Sequence, residues 1–410
     1  MRFYTYILFA LLLGACATTN SSKTNEDLQK KANELAHKYI ITDGHVDLPY
    51  RLKITNFRPT KEYLGIPIET EKGDFDYVRA KKGGLDAPFM SIYLPADKQK
   101  EPGASKALAD SLINMVGSIA DVHPDKFQIA YNVEDCERLF KKGIIALPMG
   151  MENGSGLEDD ISNVQYFNDR GISYITLTHS KVNLICDSSY DTIRTWHGLS
   201  PYGRDVVKEM NRVGIMVDIS HVSDETFYDV LEITQLPVIA SHSSARKFTP
   251  GFERNMNDQM IKDLGKNGGV FQFNFGSTFL DKKVQDQQNA ARSEIMKILK
   301  EKGINFGDDA AEDVIETYRK TNPPLFADVK TVANHIDHVV ALAGIDHVGL
   351  GSDYDGVGDS LPTGLKDVSQ YPNLIRELLE RGYTEEDIAK ICYQNVWRVW
   401  KAVDTFAAAQ

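Results

Sequence analysis

Eight short apolar, β-branched runs punctuate this chain, and each closes on or beside a polar residue before a longer segment with helical spacing begins. They are YIITDGH (39–45), APFMSIYL (87–94), IIALPMGME (144–152), ISYITLTH (172–179), IMVDISH (215–221), PVIASH (237–242), GGVFQFNF (268–275) and DHVGLGSD (346–353). A strand buried on both faces reads as a continuous apolar run, and parallel neighbours need a crossover between them, usually a helix. Eight such alternations predict an α/β fold, a (β/α)8 TIM-type barrel with its site at the C-terminal mouth of the strands. The segments SNVQYFNDRG and SDETFYDVLEIT have the length and charge of crossover helices. Long spacers at 49–83, 95–143 and 276–345 are expected to form loops and extra helices at the rim. Near the end, Thr384 and Asp387 form a capping-box pattern ahead of Ile388, Ile391, Cys392, Val396 and Val399, which predicts a closing helix.

The 410 residues, 42% of them hydrophobic, suffice for one large core, and no internal repeat or low-complexity linker divides them. A formal charge of -12 without a Lys/Arg block argues against nucleic acid or an anionic membrane surface as partner. At the N-terminus, Arg2 precedes an apolar run from Tyr6 to Leu13, too short for a membrane span and typical of a secretory signal. Leu13-Gly14-Ala15-Cys16 resembles the bacterial lipobox, in which the cysteine is acylated and becomes the first residue. The expectation is a signal peptide at 1–15, a polar tether at 16–25 and a single catalytic domain at 26–410. The protein would then be an exported bacterial lipoprotein, held to a membrane through Cys16 in the periplasm or at the cell surface. The remaining Cys136, Cys186 and Cys392 are odd in number and lack CxxC spacing, so a metal here has to be held by histidines and carboxylates.

The rare polar residues fall where such chemistry would need them. His45, His179, His221 and His242, four of the ten histidines, lie with Glu152 and Asp353 at the carboxyl ends of apolar runs, and those ends converge at a barrel mouth. His45 and Asp47 flank Val46, and the two-residue period of a strand turns both toward one side. Imidazole and carboxylate suit a borderline metal such as zinc. His45, Asp47, Glu152, His221 and His242 are more donors than one zinc with an open position requires, and they suit two metals sharing a bridging carboxylate. From the residues alone, His179 is a ligand or a wall residue, Asp355 competes with Asp353 by strand parity, and Arg254 reads as a surface cation. His335 and His338 share a helix face but precede the last strand, which makes them structural or solvated. The alternating aromatics of GVFQFNFG read as core. Tyr354 and Trp196 fit either packing or pocket lining.

Taken in order, DGHVDLP (43–49), MENGSGLED (151–159), YITLTHS (174–180), DISHVS (218–223), SHSSA (241–245), RNMND (254–258) and GSDYDG (351–356) resemble the successive signatures of the membrane (renal-type) dipeptidase family. The resemblance spans roughly 40–400. It implies that His45 and Asp47 bind one zinc, that His221 and His242 bind a second, and that Glu152 bridges them together with a hydroxide. It implies further that His179 contacts substrate and the tetrahedral intermediate, that Arg254 holds the substrate's terminal carboxylate, and that Asp353 shuttles the proton. Val46 departs from the family pattern, where Asn is frequent. The expected activity is hydrolysis of dipeptides, including those with a C-terminal D-residue, in salvage of peptide or cell-wall fragments. A homodimer is also implied. Two rival readings are another metal-dependent amidohydrolase, acting on a cyclic amide, lactone or N-acyl amino acid, and a non-catalytic solute-binding lipoprotein. Arg254 weighs against the first, since a substrate without a free carboxylate has no use for it. Glu152 and Asp353 weigh against the second.

Overall fold

The computed structural model describes residues 26–55, 68–305 and 308–410. The signal peptide expected at 1–15, the tether expected at 16–25 and Cys16 lie outside these residues. Ten strands occur among them: β1 (Ile41–Val46), β2 (Leu85–Tyr93), β3 (Phe127–Ile129), β4 (Ile145–Leu147), β5 (Met149–Glu152), β6 (Ile172–Thr176), β7 (Met216–Asp218), β8 (Ile239–Ser243), β9 (Val270–Phe273) and β10 (Val348–Leu350). Eight of them form one sheet in the order β1-β2-β5-β6-β7-β8-β9-β10, with every pairing parallel. The barrel expected from the alternation of runs is therefore present, and all eight runs contribute to it.

One run behaves differently from its reading. IIALPMGME, whose composition predicts a single strand, breaks at Pro148 into β4 and β5. Proline has no N–H for a ladder. The segment before it pairs with β3 in a separate two-stranded sheet, while only β5 joins the barrel, between β2 and β6.

The ends of the sheet meet through a seam just beyond β10. Asp353 N donates to His45 O at 3.1 Å, Asp47 N donates to Tyr354 O at 2.8 Å, and Val46 bridges Tyr354 in parallel. The buried carboxylate of Asp43 reinforces it by accepting from His45 N (2.9 Å), from Ser352 N (3.0 Å) and from the Tyr371 hydroxyl.

Crossover helices follow from local chemistry. Pro201–Val213 starts with proline in its first turn behind the Ser200 cap, which accepts from Gly203 N, and stops at Gly214 with φ 95°. Ser223 caps Asp224–Ile233 in the same way. The rim spacers contain further helices, among them Ala104–Val122, Lys282–Lys302 and Val329–Ala343. Thr384 and Asp387 do form the capping box. The chain then continues through a π-helical turn into the helix Asn395–Ala407, which packs across the barrel floor.

That last helix holds both strands of the seam. Trp397 Nε1 donates to Thr42 Oγ1 on β1 at 2.9 Å, and Asn395 Nδ2 donates to Val348 O on β10 at 2.8 Å. Trp400 is buried against Phe89, centroids 5.1 Å apart, and Phe89 in turn lies 5.4 Å from Tyr174. Trp400→Ala should cost about 3–5 kcal/mol, as for large aromatic truncations in well-packed cores. The check is denaturant unfolding, in which the midpoint should fall at unchanged slope.

Candidate metal centre

Strand geometry and two local backbone distortions bring the polar residues together. His45 belongs to β1, Glu152 ends β5 and His242 belongs to β8. His221 and Asp353 each lie three residues past their strands, with φ of 69° and 63°. Such values are uncommon outside glycine and cluster at functional sites. Asp47 reaches the site for a reason other than strand parity. It has left β1 and stands at the N-cap position of the helix Leu48–Ile54, with φ -85° and ψ 22° and no side-chain capping bond, and its Oδ1 lies 3.6 Å from His45 Nε2.

The donors converge around Glu152, which divides its two oxygens between them. Oε2 lies 3.5 Å from His45 Nε2, while Oε1 lies 3.1 Å from His221 Nε2 and 3.3 Å from His242 Nε2. His179 Nε2 is 3.7 Å from the same Oε1, and His179 also groups with Glu152 and His221 as donors within metal-binding reach. His45, Asp47 and Asp353 form another such group. Gly356 backs directly onto this group, because a Cβ there would fall 2.1 Å from both Asp353 Oδ1 and Asp47 Oδ2.

A metal fits this arrangement on two grounds. His45 Nε2 and Asp47 Oδ1 are buried and have no hydrogen-bond partner, a costly state that a shared cation would relieve. The remote nitrogens of two rings also set their tautomers. Tyr174 gives its one hydroxyl proton to Gly44 O at 2.9 Å, so it accepts from His45 Nδ1 at 2.9 Å, and Nε2 is the nitrogen left to face the carboxylates. Ser241 gives its proton to Asp218 Oδ2 at 2.6 Å and thus accepts from His242 Nδ1 at 2.8 Å. Asp218 is fully buried and also accepts from Thr176 Oγ1, Ser220 N and Ser241 N.

Electrostatics follow from burial and proximity. Burial opposes ionisation of Glu152, but the surrounding imidazoles, His45 foremost, override it and hold the carboxyl well below its usual range. Burial, with His45 and Arg254 nearby, pushes His242 down to about 3, and burial with Arg254 and His179 lowers His221 as well. Both rings are thus neutral, as a ligand must be. Burial and the Asp47 charge raise Asp353 well above the ordinary carboxylate value, and Asn274 Nδ2 donates to its Oδ2 at 2.7 Å.

Other candidates separate cleanly. Asp355, with φ 67°, turns away to Arg51, whose Nε lies 3.0 Å from Oδ2. Arg254 is not a surface cation. It is 3% exposed, its Nη1 and Nη2 donate to Ser243 Oγ and His242 O, both uncharged, and its Nε has no partner. His335 is buried between Ala245 N and Leu280 O, and His338 pairs with Asp258. Phe271, Phe273, Phe275 and Tyr354 are core, and the Trp196 indole donates to Asn183 O.

Tyr174, Ser241, Asp218 and Asn274 carried no assigned role in the sequence reading, although the first three fall inside its motifs. The signal for Tyr174 was Gly150 on the neighbouring strand: a Cβ there would meet the tyrosine Cζ at 2.0 Å, so the ring crosses β5 only because residue 150 has no side chain. Tyr174→Phe, Ser241→Ala and Gly150→Ala should each weaken metal binding about 10–100-fold, the usual cost of losing a group that orients a ligand. Competition against a chromophoric chelator measures this.

Comparison with known proteins agrees with the geometry. A profile of the membrane dipeptidase family (peptidase family M19) matches residues 29–410. Dipeptidase tcpJ of Claviceps purpurea is 32% identical over 381 residues, covering 90% of this chain and 78% of its own. The crystal structure of the probable dipeptidase PvdM from Pseudomonas aeruginosa matches with a TM-score of 0.77 at 25% identity, over 93% of this chain and 100% of that one. A metallopeptidase from Rhodobacter sphaeroides, solved with a phosphinate mimic of the dipeptide L-Ala-D-Ala, shares the fold with a TM-score of 0.71 at 22% identity, over 89% of this chain and 99% of that one. With motifs, barrel and donor cluster in agreement, the chain belongs to the membrane dipeptidase family, peptidase family M19, and is a metallo-dipeptidase.

Proposed function

We propose that the chain hydrolyses dipeptides with two zinc ions, one held by His45 and Asp47, the other by His221 and His242, with Glu152 shared between them. The observation that carries this reading is the division of the Glu152 oxygens, Oε2 toward His45 and Oε1 toward His221 and His242. A carboxylate so placed is the natural bridge of a two-metal site. Bound there, the ions would supply Lewis acidity and lower the pKa of water toward about 7.

The chain's own groups do the rest. Arg254 receives the terminal carboxylate of the substrate: its guanidinium is buried, bonded only to uncharged acceptors, and retains an unpartnered Nε. Because the clamp lies beside the donor cluster, only a peptide with its carboxylate one residue from the scissile bond fits. His179, whose side chain is 21% exposed, is the most open imidazole of the cluster and donates to the carbonyl oxygen as negative charge develops there. Asp353, beside Asp47 and His45 and steadied by Asn274, takes a proton on attack and returns it to the departing amine. Substrates with a C-terminal D-residue belong to the proposed range, and the phosphinate bound by the Rhodobacter sphaeroides enzyme supports that extension. Export, with a lipid on Cys16 as membrane anchor, completes the reading.

Metal analysis combined with hydrolysis assays on L,L and L,D dipeptides tests the proposal, and absence of zinc or of any cleavage would overturn it. Asp353→Asn should retain metal and substrate binding while kcat falls about 10²–10⁴-fold. His242→Ala should lose one metal per chain by elemental analysis. Near-normal turnover in Asp353→Asn would remove that residue from the proton path.

A further inference from the structure

The carboxylate clamp has an aromatic border that no step above uses. Phe279 lies 5.6 Å from the Arg254 Cζ, Phe252 lies 5.8 Å from Phe279, and Tyr190 lies 5.9 Å from Phe252. Tyr190 also approaches the His221 ring at 5.8 Å, so the series runs from the clamp back to a donor of the metal centre. Tyr190 is 40% exposed, and Phe252 and Phe279 are half-buried, in contrast to the fully buried Phe271 and Phe273 of β9 and Phe275 just beyond it. Rings left open beside a buried, unneutralised guanidinium make a receptor with two parts, a charge for a carboxylate and an apolar surface for what is attached next to it.

In an α-amino acid, the carbon that bears the carboxylate also bears the side chain. A carboxylate on Arg254 therefore delivers the side chain of the C-terminal residue to these rings. Their positions are held from outside the pocket. Tyr190 belongs to the excursion after β6 and Phe252 to the one after β8, and Arg194 joins the two by pairing with Glu253, Nη2 to Oε2 2.5 Å, while donating to Ser188 O at 2.7 Å. Glu253 Oε1 also accepts from Asp224 N at 3.1 Å. A wall fixed in this way loses little freedom when a side chain enters.

Resting on the dipeptidase reading and on Arg254 as its clamp, we propose that Tyr190, Phe252 and Phe279 form the subsite for the side chain of the substrate's C-terminal residue, selecting apolar and above all aromatic groups. Phe252 and Phe279 offer no hydrogen bonds to an acidic side chain and the Tyr190 hydroxyl only one, so such a side chain would lose most of its hydration without replacement.

The test compares kcat/KM for Ala-Phe, Ala-Leu, Ala-Gly and Ala-Asp in the native enzyme and in Tyr190→Ala, Phe252→Ala and Tyr190→Phe. The native enzyme should favour Ala-Phe over Ala-Gly by about tenfold or more, the scale on which apolar pockets discriminate. Both alanine variants should bring that ratio toward one, mainly through KM for Ala-Phe, and Tyr190→Phe should preserve it. Each ratio is taken within one preparation, so a loss of folded enzyme cancels. The ratio of Phe-Ala to Gly-Ala, which varies the other residue, should not move. An unchanged Phe-to-Gly ratio in both alanine variants, or no native preference for Phe and Leu, overturns the subsite alone. Cleavage of none of the dipeptides overturns the dipeptidase reading, and the subsite with it.

Discussion

The carboxylate of Asp43 holds the seam on which the site depends. A buried charge is costly unless hydrogen bonds replace its water. Asp43 finds them in the backbone N–H groups of His45 and Ser352 and in the Tyr371 hydroxyl. Those donors come from β1, from the turn after β10 and from the helix that follows, so satisfying one acid draws the two ends of the barrel into register. The bonds Asp353 N to His45 O and Asp47 N to Tyr354 O continue the same register. Three members of the donor cluster, His45, Asp47 and Asp353, are in this sense products of one closure.

From that seam a continuous packed column descends to the barrel floor. His45 is oriented by Tyr174, Tyr174 packs on Phe89, and Phe89 packs on Trp400. Stability and metal affinity therefore share residues. A core substitution at the floor reaches the ligand set through ring contacts alone, without altering any donor. Polar residues form a second support on the other side, where Asp218 anchors Ser241 and through it His242.

Much of this architecture was legible because parallel strands buried on both faces leave apolar runs, and the polar residues ending those runs stand out. His45, Glu152 and His242 fall on or at the ends of strands, where that reasoning applies without correction. It fails where the chain has left the strand. Asp47 faces His45 from the N-cap position of a helix, and Asp353 and Asp355 both follow β10 with positive φ, so the two-residue period could not choose between them. Contacts chose instead: Arg51 draws Asp355 aside. Pro148 divides a run whose composition is uniformly apolar, and the information lies in one missing N–H. Tyr174, Ser241 and Asp218 were hidden for a different reason. A hydroxyl or acid within an apolar run has the same appearance whether it supports a ligand or only satisfies itself, and the partner that decides is far away in sequence.

The helix Asn395–Ala407 bonds to both β1 and β10, through Trp397 to Thr42 and through Asn395 to Val348. Trp397 and Thr42 stand 355 positions apart, so this contact closes a very long loop and is entropically costly to make early. The first strand, which carries His45, thus waits for nearly the whole chain before it has a complete seat. A metal centre that rests on so distant a contact is assembled by the fold as a whole and by no part of it.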